Sequence, residues 1–287
     1  MARLGISALA ALIVGSLTLM ALVGCSGSSQ QSQCLPEGSQ VKAQGETPTI
    51  DQNEGEGKGM AALREASKSD KYLFAFFFKV EDEETLAMRK IFDKTMEKLT
   101  NRAQWVAVNI TDVPEKAIVA KFNLERVPMP LVLALAPNGA VTGGFPTKFE
   151  EQQLMKAFAS PATEKCMKSL QDGKLVLLCI QSEKTKSNED AMKGVNDVKA
   201  DGRFGNATTV ISLDPTDKKE ASFLADLQVP SETTKAVTVF LAPPGRAFAK
   251  YEGATSKDVL VDSLGKANTG CGPNGCCSGG CCPCPQE

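Results

Sequence analysis

The chain contains no histidine among its 287 residues. That removes the side chain most used for proton transfer near neutral pH and the commonest metal ligand. Any metal held here must be bound by thiolate, carboxylate or backbone oxygen. Aromatic residues are scarce, with a single tryptophan, Trp105. Neither sign of charge dominates, and a net charge of −2 builds no basic field. Nucleic acid is thereby excluded as an expected partner.

What the chain does have begins at its N-terminus. After Arg3, no residue from Leu4 to Val23 is charged. A basic start, a long apolar run and small residues before a cut form the pattern of a secretory signal. The run is also long enough to span a bilayer. Its end, Leu22-Val23-Gly24-Cys25, resembles the lipobox of bacterial lipoproteins. The resemblance implies that residues 1–24 are a signal peptide, that the Cys25 thiol receives a diacylglycerol, and that the new amine is acylated, as by palmitate. Several acyl chains hold a protein to a membrane where one does not. The alternative is an uncleaved transmembrane anchor, but the residues after Cys25 (Ser26 to Gln33) are a polar stretch rather than a basic stop-transfer flank. The expected partner is a membrane, and the expected location is the bacterial cell envelope. Ser26 is not the Asp that often retains lipoproteins at the inner membrane, so the outer membrane, facing the periplasm or the cell surface, is the expected address.

Residues 25–59 are rich in Gln, Ser, Gly and Glu and contain Cys34. They carry too little apolar surface to offset ordering entropy and read as a flexible tether. Beyond them the pattern turns regular. The spacing predicts a helix over 60–69, a buried strand over 72–78 (YLFAFFF), a helix over 83–99 and a strand over 105–110. A helix opened by Pro114 follows over 114–122. A strand over 131–136, a turn at Pro137-Asn138-Gly139, a strand over 140–145 and a helix over 149–158 complete the unit.

The same order recurs: helix 162–170, strand 175–180 (LVLLCI), helix 188–199, strand 207–213, helix 218–227, strands 237–242 and 247–251 around Pro243-Pro244-Gly245, and helix 257–264. Leu73 and Leu175 lie 102 positions apart, Gly139 and Gly245 106 apart. A fixed period of this size indicates duplication of a whole domain. The expected units are residues 60–160 and 161–267, ahead of a Cys-rich tail at 268–287.

The βαβαββα order with a closing antiparallel hairpin resembles the thioredoxin fold, and Phe122-Asn123-Leu124-Glu125-Arg126-Val127-Pro128 strengthens the likeness. The resemblance implies an α/β fold class, two tandem thioredoxin-like domains with central mixed sheets and flanking helices. It also implies a cis proline at Pro128, facing the active site, and more weakly at Pro230. The family's Cys-x-x-Cys motif is missing, however. Its slot reads Lys79-Val80-Glu81-Asp82-Glu83-Glu84 in the first unit and Gln181-Ser182-Glu183-Lys184-Thr185-Lys186 in the second. An acidic run at a helix start is accounted for by capping and dipole chemistry. No catalytic residue is assigned. Cys166 and Cys179 are expected to be small core residues or partners in one structural disulfide, which export would permit.

After Asn268 six cysteines, Cys271, Cys276, Cys277, Cys281, Cys282 and Cys284, fall within fourteen positions among Gly, Pro, Ser and Asn. Such a backbone turns tightly enough for several thiolates to face one point, and thiolates select soft ions such as Cu(I) or Zn(II). The density resembles that of metallothioneins in composition. Three disulfides or a thiol redox relay would use the same residues, and the sequence leaves these open. Three functions follow: a redox-silent envelope scaffold whose tail binds a thiophilic metal, an oxidoreductase working through tail thiols with substrate docked at the Pro128 face, and a module that holds a protein partner near the membrane with a disulfide-stapled tail.

Overall fold

The computed structural model describes residues 56–268. The first half runs α1 (Lys58–Lys68), β1 (Tyr72–Phe78), α2 (Glu83–Glu97), β2 (Ala103–Asn109), α3 (Lys116–Lys121), β3 (Leu131–Leu135), β4 (Val141–Pro146) and α4 (Glu151–Met155). The second runs α5 (Pro161–Gln171), β5 (Leu175–Ile180), α6 (Asn188–Lys199), β6 (Thr208–Leu213), α7 (Ala221–Asp226), β7 (Val237–Ala242), β8 (Arg246–Glu252) and α8 (Lys257–Asn268). The signal segment, Cys25, Cys34 and all six tail cysteines lie outside the described residues.

Each half builds one four-stranded sheet, ordered β2-β1-β3-β4 and β6-β5-β7-β8. The first two strands of each order are parallel and the rest antiparallel. Helices cover both faces. The chain is therefore α/β, with two tandem thioredoxin-like domains.

The continuous apolar run of β1 follows from that sandwich, because a strand covered on both faces has no side free for polar residues. Tyr72, Phe74, Phe76 and Phe78 pack with Phe92 and Met96 of α2 and Leu154 of α4. The alternate residues Leu73, Ala75 and Phe77 pack with Ala66 of α1 and with Ile118 and Val119 of α3. Burial of each such phenylalanine contributes roughly 1.5–3 kcal/mol. In β5 the division repeats: Val176, Leu178 and Ile180 face α5 and α7, and Leu177 and Cys179 face α6 and α8.

This division corrects the internal alignment by one residue. Leu73 faces the α1/α3 layer, and its counterpart on the α5/α7 face is Val176, whereas Leu175 packs on the opposite face. In a strand a slip of one residue exchanges the faces, and identical residue types cannot reveal it. Gly139 and Gly245 do coincide, both at positive φ in the closing hairpin, and both hairpins carry a register shift at matching places (Ala134/Leu135 and Phe240/Leu241).

Candidate functional site

In both domains the loop after the first strand meets the loop before the third at one end of the sheet. This is where the resemblance would put chemistry. In the first domain Phe78 runs into Lys79-Val80-Glu81-Asp82, and Asp82 caps α2 by accepting a hydrogen bond from the Thr85 amide at 2.8 Å. That bond holds the Asp82 carboxyl below the usual carboxylate range. It is a helix cap, kept ionised for that task. Val80, Leu86 and Val113 are exposed on the slot, α2 and the loop after β2.

The cis bond expected at Val127-Pro128 is found two residues later, at Met129-Pro130. The position is set by pairing: the Pro130 carbonyl accepts the Thr147 amide at 2.6 Å, directly before β3 begins at Leu131. Pro128 falls too early, in the stretch leaving the 3-10 turn Leu124–Arg126. In the second domain the matching bond runs from the Gly253 amide to Ala236 (2.7 Å), so Ala236, and not Pro230, stands where Pro130 does. The second-domain peptide there is not cis, and the other cis bond among the described residues is Pro243-Pro244, in the hairpin.

The exchange of proline for alanine changes the site. Ala236 has an amide, which donates to the Lys186 carbonyl at 2.9 Å, while the Lys186 amide donates to Thr234 at 2.9 Å. The segment preceding β7 thereby forms a bridge onto the slot. Thr185, buried behind it, accepts from the Ser182 amide (2.9 Å) and lies 2.8 Å from the Ser182 carbonyl oxygen, which also accepts from the Asn188 amide group at 2.7 Å. The second slot is closed by its own chain. Pro130 has no amide to offer, and the first slot carries no such bridge among the described residues.

The Cys166 and Cys179 thiols are free and form no disulfide with each other. Cys166, on α5, packs against the Val176/Leu178/Ile180 face of β5, and Cys179 points from the other face toward Val195 and Leu260. The sheet lies between them. Burial pushes both thiols up to about 12, with the nearby Glu220 charge adding to the effect at Cys166. They are neutral and enclosed, the opposite of an activated nucleophile.

Two other observations bear on chemistry. A groove of about 520 Å³ between α6 and the β8–α8 turn is lined by Asp190, Lys193, Asp197 and Thr255 among others, and contains no nucleophile with a base beside it. Among the described residues no group of three or more Cys, Asp or Glu is placed to hold a metal ion.

Sequence reasoning missed Glu115 and Glu220. Each lies in the 3-10 turn before α3 or α7, is buried, and accepts a backbone amide from the start of the domain's first helix: Gly59 at 3.0 Å and Ala162 at 2.8 Å. The signal was present as acidic residues at matching positions of the two halves, with Gly57 and Gly59 opposite the first. A Cβ at Gly57 would meet Pro114 O at 2.4 Å.

No protein-family profile matches the chain, and no curated protein matches it by sequence. Among solved structures, the chain is similar to the first two thioredoxin domains of Saccharomyces cerevisiae Eps1p, at 11% identity and a TM-score of 0.27, covering 70% of this chain and 94% of that one. It is similar to the corresponding pair from Naumovozyma dairenensis Eps1p, at 11% identity and a TM-score of 0.28, covering 78% and 99%. A third is thioredoxin O2 from Arabidopsis thaliana in its oxidized state, at 12% identity and a TM-score of 0.29, covering 34% and 81%.

Proposed function

We propose that this is a redox-silent thioredoxin-like scaffold, anchored in the bacterial envelope through lipid on Cys25, whose C-terminal thiols bind a soft metal ion. The observation that carries the reading is the absence of any thiol from either slot, together with the burial of Cys166 and Cys179 on opposite faces of one sheet. Disulfide exchange needs an accessible thiolate, and neither domain offers one among its described residues. Six cysteines remain at 271–284, on a Gly- and Pro-rich backbone that suits thiolate convergence. The chain's lack of histidine leaves sulfur as its soft donor. With Cu(I) or Zn(II) bound, those sulfurs would supply a closed coordination site that sequesters the ion. The two domains would hold it at a distance from the membrane, with the open end of the first available to a protein partner.

The test is elemental analysis and thiol counting on the full chain, purified from the envelope under reducing conditions, beside a variant lacking residues 269–287. Stoichiometric Cu(I) or Zn(II) that disappears with the deletion supports the reading. Insulin-reducing activity that disappears with the same deletion would overturn it in favour of a tail-thiol oxidoreductase. Six tail thiols unreactive before reduction, with no metal, would overturn it in favour of a disulfide-stapled tail. Metabolic labelling with palmitate, lost on Cys25→Ser, tests the anchor separately.

A further inference from the structure

Two sheets have four edges, and three of them are guarded. On β4 the Gln171 side chain occupies the edge backbone, accepting the Val141 amide at 2.9 Å and donating to its carbonyl at 2.7 Å, and Pro146 ends the strand without a donor. On β6 the Lys199 ammonium folds over the edge and donates to the Thr208 carbonyl at 2.7 Å. On β8 the strand carries Arg246, Lys250 and Glu252. Charge, proline and side-chain plugs are the usual means of stopping a sheet edge from pairing with another chain.

β2 has none of them. Its sequence, AQWVAVN, is free of charge and proline. The Arg102 carbonyl and the Ile110 amide both bond to β1. Amide and carbonyl of one strand residue point the same way, and successive residues alternate. Ala103, Trp105, Ala107 and Asn109 therefore turn theirs outward. The Ala103 amide is taken by Leu99, and the Asn109 carbonyl by the Asp112 amide at 3.2 Å. The Ala103 carbonyl, both groups of Trp105 and Ala107, and the Asn109 amide have no partner among the described residues. Trp105, the chain's single tryptophan, is 39% exposed in the middle of this edge.

Where the described chain begins says what lies nearest to that edge. Gly57 caps α1, and a Cβ on it would meet Pro114 O at 2.4 Å, while the Gly59 amide donates to Glu115 at 3.0 Å. The other end of α1 meets the start of β2, where Lys71 donates to the Thr100 carbonyl at 3.2 Å. Helix α1 thus runs antiparallel to β2, and the residues before it start beside the strand's far end. The nearest β-branched run among them is Thr47-Pro48-Thr49-Ile50. Residues 52–56 reach roughly 16 Å when extended, enough to bring that run onto the edge.

We propose that Thr47 to Asp51 of this same chain lies parallel along β2 as its outer neighbour. Pro48 has no amide, so its position must face away from β2, which fixes the alternation. Thr47, Thr49 and Asp51 then bond to β2. In the register that sets Ile50 beside Ala107, they donate to the carbonyls of Ala103, Trp105 and Ala107 and accept from the amides of Trp105, Ala107 and Asn109. The ladder uses each free group of the edge and makes no demand on the Asn109 carbonyl. The same alternation puts the apolar Pro48 and Ile50 on the face of Trp105. It also leaves Pro48 on the new outer edge, the guard that β2 lacks. One consequence deepens the scaffold reading and rests on it. Undocked, the tether would issue beside Val113, at the open slot; docked, it leaves at the opposite end of the sheet, and the slot stays clear for a partner.

The test is hydrogen exchange at the Trp105, Ala107 and Asn109 amides, with acrylamide quenching of Trp105, on the full chain in detergent with a thiol reductant. The comparison is a variant lacking residues 44–52. The deletion should speed exchange at the three amides about tenfold or more and open Trp105 to quencher, with the ladder between β1 and β2 unchanged. Thr49→Pro, which removes an inward amide, should do the same, whereas Pro48→Ala should leave the protection in place. Circular dichroism separates these effects from misfolding. Cys25→Ser should leave every one of these readings unaltered, so loss of the anchor and loss of docking are told apart. An edge already open in the full chain overturns the proposal. So does protection that survives the deletion, or that falls on dilution as pairing with a second copy would.

Discussion

The Glu220 carboxylate accepts a hydrogen bond from the Ala162 amide at 2.8 Å, joining residues 58 positions apart in the chain. A buried carboxylate facing the start of a helix satisfies an amide that has no intrahelical partner and meets the positive end of the helix dipole. Glu115 does the same for Gly59. Glu220→Ala and Glu115→Ala should each cost about 2–3 kcal/mol, the worth of a charged hydrogen bond whose loss strands a buried donor. Urea unfolding followed by circular dichroism reads the loss. Lysine substitution at either site should be worse than alanine.

That pair of carboxylates also shows where the sequence stops being legible. Local features came through: β1, β5, α6 and β7 have the limits their patterns gave, because apolar runs bracketed by polar turns determine their own extent. The absence of thiols from both slots was readable directly. Features that depend on which face meets which helix were not. Cys166 and Cys179 could be paired on paper because neither the helical spacing of one nor the strand position of the other says which side of the sheet α5 takes. The proline before β3 was displaced for a similar reason. Val127-Pro128 and Met129-Pro130 are equivalent as dipeptides, and only the bond from Thr147 to Pro130 distinguishes them.

Burial of the two thiols makes stability fall in alkali. The folded chain keeps both protons up to about 12, while the same thiols in the unfolded chain ionise near their ordinary value of 9. Between those limits the unfolded state binds fewer protons, so stability is fully present below pH 9 and declines as pH rises toward 12. Urea midpoints measured across that range should drop less steeply in Cys166→Ala/Cys179→Ala than in the parent. At pH 8 a disulfide reagent should find two additional thiols only when guanidinium is present.

Closure of the second slot depends on Thr185 and Ala236. Thr185→Val keeps the shape and removes the hydroxyl that pairs with the Ser182 backbone, which should cost about 1–2 kcal/mol. Ala236→Pro removes the donor to Lys186. In both variants the Ser182 and Lys186 amides should exchange hydrogen faster, with the first domain unaffected. Unchanged exchange at those amides would mean that the bridge from the segment before β7 is not what closes the slot.

The join between the domains makes the last prediction. The Tyr72 hydroxyl, at the start of β1, accepts the Ala159 amide at 2.8 Å and lies 2.5 Å from the Glu164 carboxylate on α5. Burial, and then the hydrogen bond to Glu164, push the phenol above its ordinary range, so it remains a donor throughout accessible pH. Met167 of the same helix packs on the first domain's core, and Gln171 plugs the β4 edge. Helix α5 thus belongs to the second domain's core while being fastened to the first at three points. Tyr72→Phe leaves the ring packed and removes the polar fastening, stranding the Ala159 amide. It should cost about 1–3 kcal/mol. Because α5 is shared, the loss should appear as separation of the two unfolding transitions in calorimetry: a helix held by one domain alone no longer couples its melting to the other. Gln171→Ala, which frees the Val141 edge as well, should widen that separation in the double variant, whereas a single unchanged transition in both would mean that apolar packing around Met167 is sufficient to couple the halves.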